Sequence, residues 1–175
     1  MLNFHRYGTG RPLVLQHGFL GGGGYWEPQF AALGRHFDIV APDLPGFAGS
    51  SKVHAPESIE GFASALITLF DRLGIGTTRL LGHSMGSMIA LQMALDTPER
   101  IERLVLYGSA STGNLPDRFE SVEASIARIE SLGAEATADH IVPTWFVNGN
   151  AAPFARMCRA AGAGATTGAA IGIRR

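Results

Sequence analysis

Residues 79–86, RLLGHSMG, decide the fold of this chain. They predict a strand that runs into Gly82-His83-Ser84-Met85-Gly86, and the apolar residues 87–95 predict a helix directly after it. A sharp strand-to-helix turn of the Gly-x-Ser-x-Gly type lifts a serine hydroxyl above the sheet. Glycines flank the turn because a Cβ there would clash with neighbouring backbone. Ser84 is therefore the candidate nucleophile, and the Met85 N–H at the helix start is a candidate oxyanion donor.

A second motif follows the short apolar run at residues 12–16, PLVLQ, which predicts a buried strand. His17-Gly18-Phe19 comes next, and residues 21–24 are all glycine. Such a loop at the end of a strand can bring a backbone N–H close to a reacting oxygen, so Phe19 is the candidate for the second oxyanion donor. Taken alone, residues 21–24 fit a flexible loop better. Together with Ser84, they predict the other half of an oxyanion hole.

Short apolar strands alternate with helices over residues 1–110. The expected strands are 2–7, 12–16, 37–41, 78–81 and 104–107, and the expected helices are 25–33, 58–73 and 87–95. This alternation predicts the α/β class, with a mostly parallel sheet that carries helices on both faces. We expect the first strand to be an edge strand that turns into the second. The strand at 104–107 is expected to be an unpaired edge and therefore prone to aggregation.

The pattern becomes purely helical after residue 110, so we expect a core at 1–110 and a helical segment at 111–175. The expected helices are 120–132, 134–141 and 153–161. Residues 160–172 are nearly all Ala, Gly and Thr, which predicts a frayed or disordered end. Trp145, Phe146 and Phe154 are candidate pocket walls, with packing of the helical segment on the core as the alternative.

The composition excludes several classes of function. A net charge of −1 argues against nucleic acid as a partner, and no stretch is apolar enough for a membrane span or an export signal. The single cysteine, Cys158, rules out an internal disulfide and fits a reducing compartment, so we expect a cytoplasmic protein. No metal-ligand spacing is present, and the expected chemistry needs no cofactor.

With both motifs in view, the chain resembles the α/β-hydrolase family. The resemblance rests on HGFLG (17–21), PDLPGFAGSS (42–51), GHSMG (82–86) and PERIERLVLYGSA (98–110), and it covers residues 2–150. Within the family, the run from Arg103 to Cys158 is similar to esterase- and lactonase-type members such as 3-oxoadipate enol-lactonase. The resemblance implies a serine hydrolase that cleaves a small ester or lactone through an acyl-enzyme, and a lid formed by residues 111–175.

The resemblance also implies a catalytic acid and then a histidine after Ser84, on strands that this sequence does not contain. We therefore expect the chain to be the N-terminal part of a hydrolase, truncated in the lid and with little activity of its own. Asp117 and His140 form a fallback acid–base pair. His17 and His83 are interpreted as structural, and Asp43 as a carboxylate that stabilises a turn.

Two alternatives remain open from the sequence. The scaffold could perform perhydrolysis, acyl transfer or carbon–carbon bond hydrolysis with the same serine. It could also be a catalytically silent module that binds a small apolar ligand or a partner. The oligomeric state cannot be read from the sequence.

Overall fold

The computed structural model describes residues 1–108 and 120–171. One five-stranded sheet has the strand order β1-β3-β2-β4-β5. Its strands are β1 (Phe4–Tyr7), β2 (Arg11–Gln16), β3 (Phe37–Pro42), β4 (Thr78–His83) and β5 (Ile101–Tyr107). All neighbouring pairs are parallel except β1 with β3. The predicted α/β class with a mostly parallel sheet is confirmed.

Six α-helices in the described part of the chain cover the sheet or extend from it. They are α1 (Glu27–Leu33), α2 (Ile59–Leu73), α3 (Met85–Asp96), α4 (Val122–Ile141), α5 (Ala155–Ala163) and α6 (Thr167–Ile171). Helix α2 begins as predicted, because the Ser58 hydroxyl accepts a hydrogen bond from the Gly61 N–H. Its end is set by Gly74, whose φ of 68° is left-handed.

The two faces of the sheet bury separate apolar clusters, because successive strand residues point to opposite sides. Val14 of β2 packs in one cluster with Phe62 of α2 and Ile89 of α3. Its neighbour Leu15 packs in the other cluster with Phe30 of α1. Helices on both faces were predicted, and these clusters show why the strand sequences are apolar throughout.

The two edges of the sheet differ from each other. Strand β1 is an edge as expected, but it pairs with β3 rather than with β2, its neighbour in sequence. Among the strands of residues 1–108 and 120–171, β5 pairs with β4 alone and forms the opposite edge, as predicted. Its Val105, Leu106 and Tyr107 are 46–65% exposed. Self-association through β5 stays a prediction.

Residues 120–171, the described part of the predicted lid and hereafter the lid, pack on the core through side chains such as Ile126, Ile129 and Ile141. Gly133, with a φ of 83°, breaks α4 into two parts, which agrees with the two predicted helices. The end of the lid differs from the expectation of a frayed chain, because Ala165 and Ala169 are buried in the main core cluster. The predicted boundary at residue 110 lies outside the described residues and stays a prediction.

Candidate active site

Ser84 is the single residue between the end of β4 and the start of α3. Its φ of 55° and ψ of −124° are unusual for a residue with a side chain, and such strain costs about 1–3 kcal/mol. The Ser84 N–H donates to Tyr107 O at 2.8 Å, and Ser84 O accepts from the Ser87 N–H at 2.8 Å. The backbone on both sides of the serine is therefore held in this strained shape.

The Ser84 hydroxyl is not used to cap its helix. Ser58 and Ser121 occupy the same position before α2 and α4, and each accepts a hydrogen bond from a backbone N–H of the first turn. Ser84 makes no such bond, and its backbone angles differ from the extended angles of Ser58 and Ser121. Ser84 as a whole is half-buried.

Gly82 and Gly86 are required by close backbone contacts, as the sequence predicted. A Cβ on Gly82 would overlap Gly86 O, and a Cβ on Gly86 would overlap His17 O and lie 2.7 Å from Gln16 O. Since real Cβ atoms do not approach so closely, any side chain at either position would displace the elbow, defined as residues 82–86.

Ser87 connects the elbow to strand β5 and was missed by the sequence analysis. Its buried hydroxyl donates to Gly82 O at 2.6 Å and accepts from the Tyr107 N–H at 3.1 Å. A serine one turn into an apolar helix carries no sequence signal for this role, because both partners come from the sheet.

The glycine loop, residues 17–24, lies directly against the elbow. A Cβ on Gly18 would lie 2.9 Å from Ser84 Cβ and 3.4 Å from the Met85 nitrogen. The structure therefore brings Gly18, the residue before Phe19, close to both Ser84 and the start of α3. The Phe19 ring is half-buried and packs edge-on against Phe47 at 6.3 Å.

His17 is fully buried, and both of its ring nitrogens have partners. Nε2 lies 2.9 Å from the Leu44 N–H, and Nδ1 lies 2.8 Å from Gly18 O. Because Nε2 accepts, the ring proton must be on Nδ1, which donates to the carbonyl. Burial lowers the pKa of His17 to about 4, against the opposing effects of the Gly18 carbonyl and Asp43. A neutral structural histidine, as expected from the sequence, fits these contacts.

Asp43 is buried and ties three chain segments together. Its carboxylate accepts from the Gly23 N–H at 2.6 Å, from Asn3 Nδ2 at 2.6 Å and from the Gly49 N–H at 3.0 Å. These contacts fit the expected turn-stabilising carboxylate. They also fix the far end of the glycine loop.

The His83 ring contacts the rings of Tyr25 and Tyr107. The Tyr25 hydroxyl and His83 Nδ1 form a hydrogen bond, and burial lowers the pKa of His83 and raises that of Tyr25. The expected packing role of His83 agrees with this contact. Tyr25 was not identified from the sequence, because its partner is 58 residues away.

His140 lies on α4, with Nε2 3.9 Å from the Glu120 carboxylate. Burial of Glu120 opposes its ionisation, but hydrogen bonds from Ser125 and Arg128 lower the pKa of its carboxyl group. Asp117, the predicted partner of His140, lies outside the described residues. The acid–base pair therefore stays a prediction.

The three lid aromatic residues that were predicted as pocket walls differ in how deeply they are buried. Phe146 packs on a small lid cluster that contains the buried Cys158, whose pKa is raised by burial. Trp145 and Phe154 are 41% and 48% exposed. For Phe146 the packing alternative agrees with the structure, and a role of any of these aromatic residues in a pocket stays a prediction.

A cavity of about 290 Å³ lies between the glycine loop, the Asp43 turn and α5. Gly22, Tyr25, Asp43 and Met157 are among its lining residues, but Ser84 is not. Within residues 1–108 and 120–171, no three His, Cys, Asp or Glu side chains are grouped as metal ligands. None of the helices described there combines the length and apolar character that crossing a bilayer requires.

Comparison with known proteins agrees with this architecture. The sequence profile of the alpha/beta hydrolase fold matches residues 11–132. The chain is 32% identical over 127 residues to 2-hydroxy-6-oxo-2,4-heptadienoate hydrolase of Pseudomonas putida, which covers 69% of this chain and 45% of that protein. It is 29% identical over 130 residues to (E)-2-((N-methylformamido)methylene)succinate hydrolase of Acinetobacter baylyi, covering 74% and 48%.

Solved structures extend the likeness to the lid. The enol-lactonase from Burkholderia xenovorans superposes with a TM-score of 0.83 at 25% identity, over 98% of this chain and 67% of that one. The matched part of the chain spans 45% and 48% of the lengths of the two curated hydrolases from Pseudomonas putida and Acinetobacter baylyi. The family profile, the parallel sheet and the serine turn between β4 and α3 together show that the chain belongs to the α/β-hydrolase family.

Proposed function

We propose that Ser84 is the nucleophile of a serine hydrolase that cleaves a small carboxylic ester or lactone. Ser84 Oγ attacks the carbonyl carbon, and the N–H groups of Phe19 and Met85 stabilise the negative charge on the carbonyl oxygen. The bond to the leaving alcohol breaks, an acyl-enzyme remains on Ser84, and water releases the acid.

The observation that carries this proposal is the close approach of the glycine loop to a strained, uncapped serine. A Cβ added to Gly18 would lie 2.9 Å from Ser84 Cβ and 3.4 Å from the Met85 nitrogen, so only a residue without a side chain fits beside both. Backbone N–H groups from two segments can therefore converge beside one hydroxyl. Strain that persists at a single solvent-accessible serine is typical of catalytic positions.

The base that must accept the Ser84 proton is not found among the histidines that flank the elbow. His17 binds Leu44 and Gly18, and His83 binds Tyr25. A triad serine without its base keeps only the contributions of substrate binding and oxyanion donors. We accordingly propose that this polypeptide alone turns esters over slowly, and that the acid and histidine of the triad are not among its residues.

A fluorophosphonate probe tests the nucleophile. We expect slow labelling that mass spectrometry locates on Ser84 and that Ser84→Ala abolishes, whereas Ser131→Ala, a change at an exposed lid serine, labels like the wild type. Labelling elsewhere, or none at all, would remove the nucleophile from the proposal. Rapid p-nitrophenyl ester turnover that disappears in Ser84→Ala would keep the nucleophile but contradict the proposed absence of a base.

A second candidate is carbon–carbon bond hydrolysis on the same serine, favoured by the 32% identity to the heptadienoate hydrolase. Turnover of 2-hydroxy-6-oxo-2,4-heptadienoate and of a simple lactone, measured side by side, distinguishes the two candidate functions. A carbon–carbon hydrolase would consume the dienoate faster than the lactone, and an esterase or lactonase would do the reverse. Perhydrolysis and acyl transfer would appear as peroxide- or acceptor-dependent turnover. A silent binding module would bind ligands without labelling at Ser84.

A further inference from the structure

The peptide unit between Gly18 and Phe19 is anchored through its carbonyl. Gly18 O accepts one hydrogen bond from His17 Nδ1 at 2.8 Å and another from the Gly21 N–H at 3.1 Å. Both lone-pair directions of this oxygen are therefore occupied by donors from the chain.

The His17 ring that supplies one of these donors is itself immobilised. It is completely buried, and its Nε2 accepts the Leu44 N–H at 2.9 Å from the turn after β3. Phe47 packs edge-on against the ring at 5.6 Å. Since Nε2 is occupied as an acceptor, the neutral ring has its only proton on Nδ1, directed at Gly18 O.

The geometry of the peptide bond carries this anchoring over to Phe19. A trans peptide is planar, so its C=O and its N–H point in opposite directions. Fixing the Gly18 carbonyl toward His17 therefore fixes the Phe19 N–H on the opposite side of the same peptide plane. Gly18 also lies next to the elbow, because a Cβ added to it would be only 2.9 Å from Ser84 Cβ.

We infer that His17 is a positioning residue that orients the Phe19 N–H through the shared Gly18–Phe19 peptide plane. This inference deepens the proposed function and rests on it where catalysis is concerned. His17 itself touches neither the hydroxyl nor a substrate. Burial keeps the ring neutral, so this donor pattern persists across the physiological pH range.

Two substitutions separate orientation from ordinary packing. In His17→Asn the side-chain amide can replace the Nδ1 donor but cannot reach Leu44. In His17→Gln the amide oxygen can replace the Nε2 acceptor for the Leu44 N–H, and the donor to Gly18 O is lost. A histidine that only fills space would make both variants similar.

Residual dipolar couplings of backbone N–H groups measure orientation directly in a chain of 18.5 kDa. We expect the Phe19 coupling to keep its wild-type value in His17→Asn and to change in His17→Gln, with the couplings of β2 and β4 unchanged in both. An unchanged Phe19 coupling in His17→Gln would overturn the inference. The wild type provides a test that needs no variant to fold, since a neutral ring protonated on Nε2 by ¹⁵N chemical shift would overturn it as well.

The rate of fluorophosphonate labelling at Ser84 tests the catalytic consequence. Loss of one oxyanion donor costs about 10²–10³-fold in rate, so we expect a fall of that order in His17→Gln and less than about tenfold in His17→Asn. If the wild type is not labelled, the proposed function fails and the dipolar couplings still decide the orientation. If the couplings change and the labelling rate does not, His17 orients Phe19 but Phe19 is not an oxyanion donor.

Discussion

The elbow and the glycine loop are held by several hydrogen bonds, whereas the end of the lid combines a backbone hydrogen bond, from the Thr166 N–H to Gly46 O at 2.8 Å, with packing of small residues such as Ala165 and Ala169. Ser84 and Ser87 bind the backbone of β5, and His17 and Asp43 tie the two ends of the glycine loop to one turn. In the lid, Gly162 lies against Leu20, and a Cβ on it would be 3.1 Å from Leu20 O.

These two modes of attachment control different quantities. A hydrogen bond fixes a direction, because it weakens steeply when the donor turns away from the acceptor. Packing of small side chains fixes how closely two segments approach, but it does not fix the direction of individual N–H groups. Changes at the elbow should therefore disturb the geometry of the candidate donors, and changes in the lid should alter stability more than orientation.

The largest expected effect is at the elbow itself. In Gly86→Ala the new Cβ would overlap His17 O, and no flexible side chain can move aside to admit it. We expect a loss of more than about 3 kcal/mol in the free energy of unfolding, since overpacking against backbone cannot relax locally. Urea unfolding measures this loss.

Gly76→Ala is the matched control for this change. A Cβ on Gly76 meets nothing within 4 Å, so this variant should unfold like the wild type. Equal free energies of unfolding for the two variants would show that the elbow can accommodate an extra Cβ. The elbow would then be no more sensitive to substitution than the lid.

The sequence was sufficient to locate the elbow because its glycine–serine pattern is local. Gly82, Ser84 and Gly86 are within five residues, although Gly86 is also required by the distant His17 carbonyl. The roles of Ser87, Tyr25 and His17 depend instead on partners 20 to 58 residues away, which no local pattern reveals. His17 could be interpreted as structural, but its tautomer required the position of the Leu44 N–H.

The sheet and the lid show the same limit. Strand positions followed from apolar runs, but the pairing of β1 with β3 joins strands that are not neighbours in sequence, so no local pattern predicts it. The end of the lid lacked periodicity because Ala and Gly give little contrast between faces. Its helices form where small residues allow close approach, as Ala169 does beside Gly46.

The second largest expected effect is a loss of stability at acidic pH that is caused by protonation of His17. Burial lowers its pKa to about 4, while the unfolded chain titrates near 6.5, so between these values the unfolded state binds more protons. The stabilisation is fully present above about pH 6.5 and is lost as the pH falls toward 4. Between pH 7 and pH 5 we expect a loss of about 2 kcal/mol.

His17→Asn provides the comparison for this titration. Burial also lowers the pKa of His83, so some loss of stability on acidification should remain in the variant, with the His17 part removed. Urea unfolding at several pH values gives both slopes. Identical slopes for the two proteins would mean that His17 does not stay neutral in the fold.

The smallest expected effect is in the lid, at Gly162, where two contributions oppose each other. In Gly162→Ala the new Cβ would lie 2.9 Å from Ala138 Cβ and 3.3 Å from Leu20 Cβ, and overpacking of this kind costs about 1–3 kcal/mol. Replacing glycine by alanine in a helix returns up to about 1 kcal/mol. We expect a net loss of about 1 kcal/mol, seen as a lower urea midpoint.

Gly168→Ala isolates the helix contribution, because only Ala55 Cβ lies near the new methyl group, at 4.0 Å. This variant should be as stable as the wild type or slightly more stable. In Gly162→Ala the Leu20 amide resonance should shift, while the Phe19 dipolar coupling should stay constant, because hydrogen bonds to Gly18 O set its direction. A rotated Phe19 N–H in Gly162→Ala would show instead that packing of the lid controls the orientation of this candidate donor.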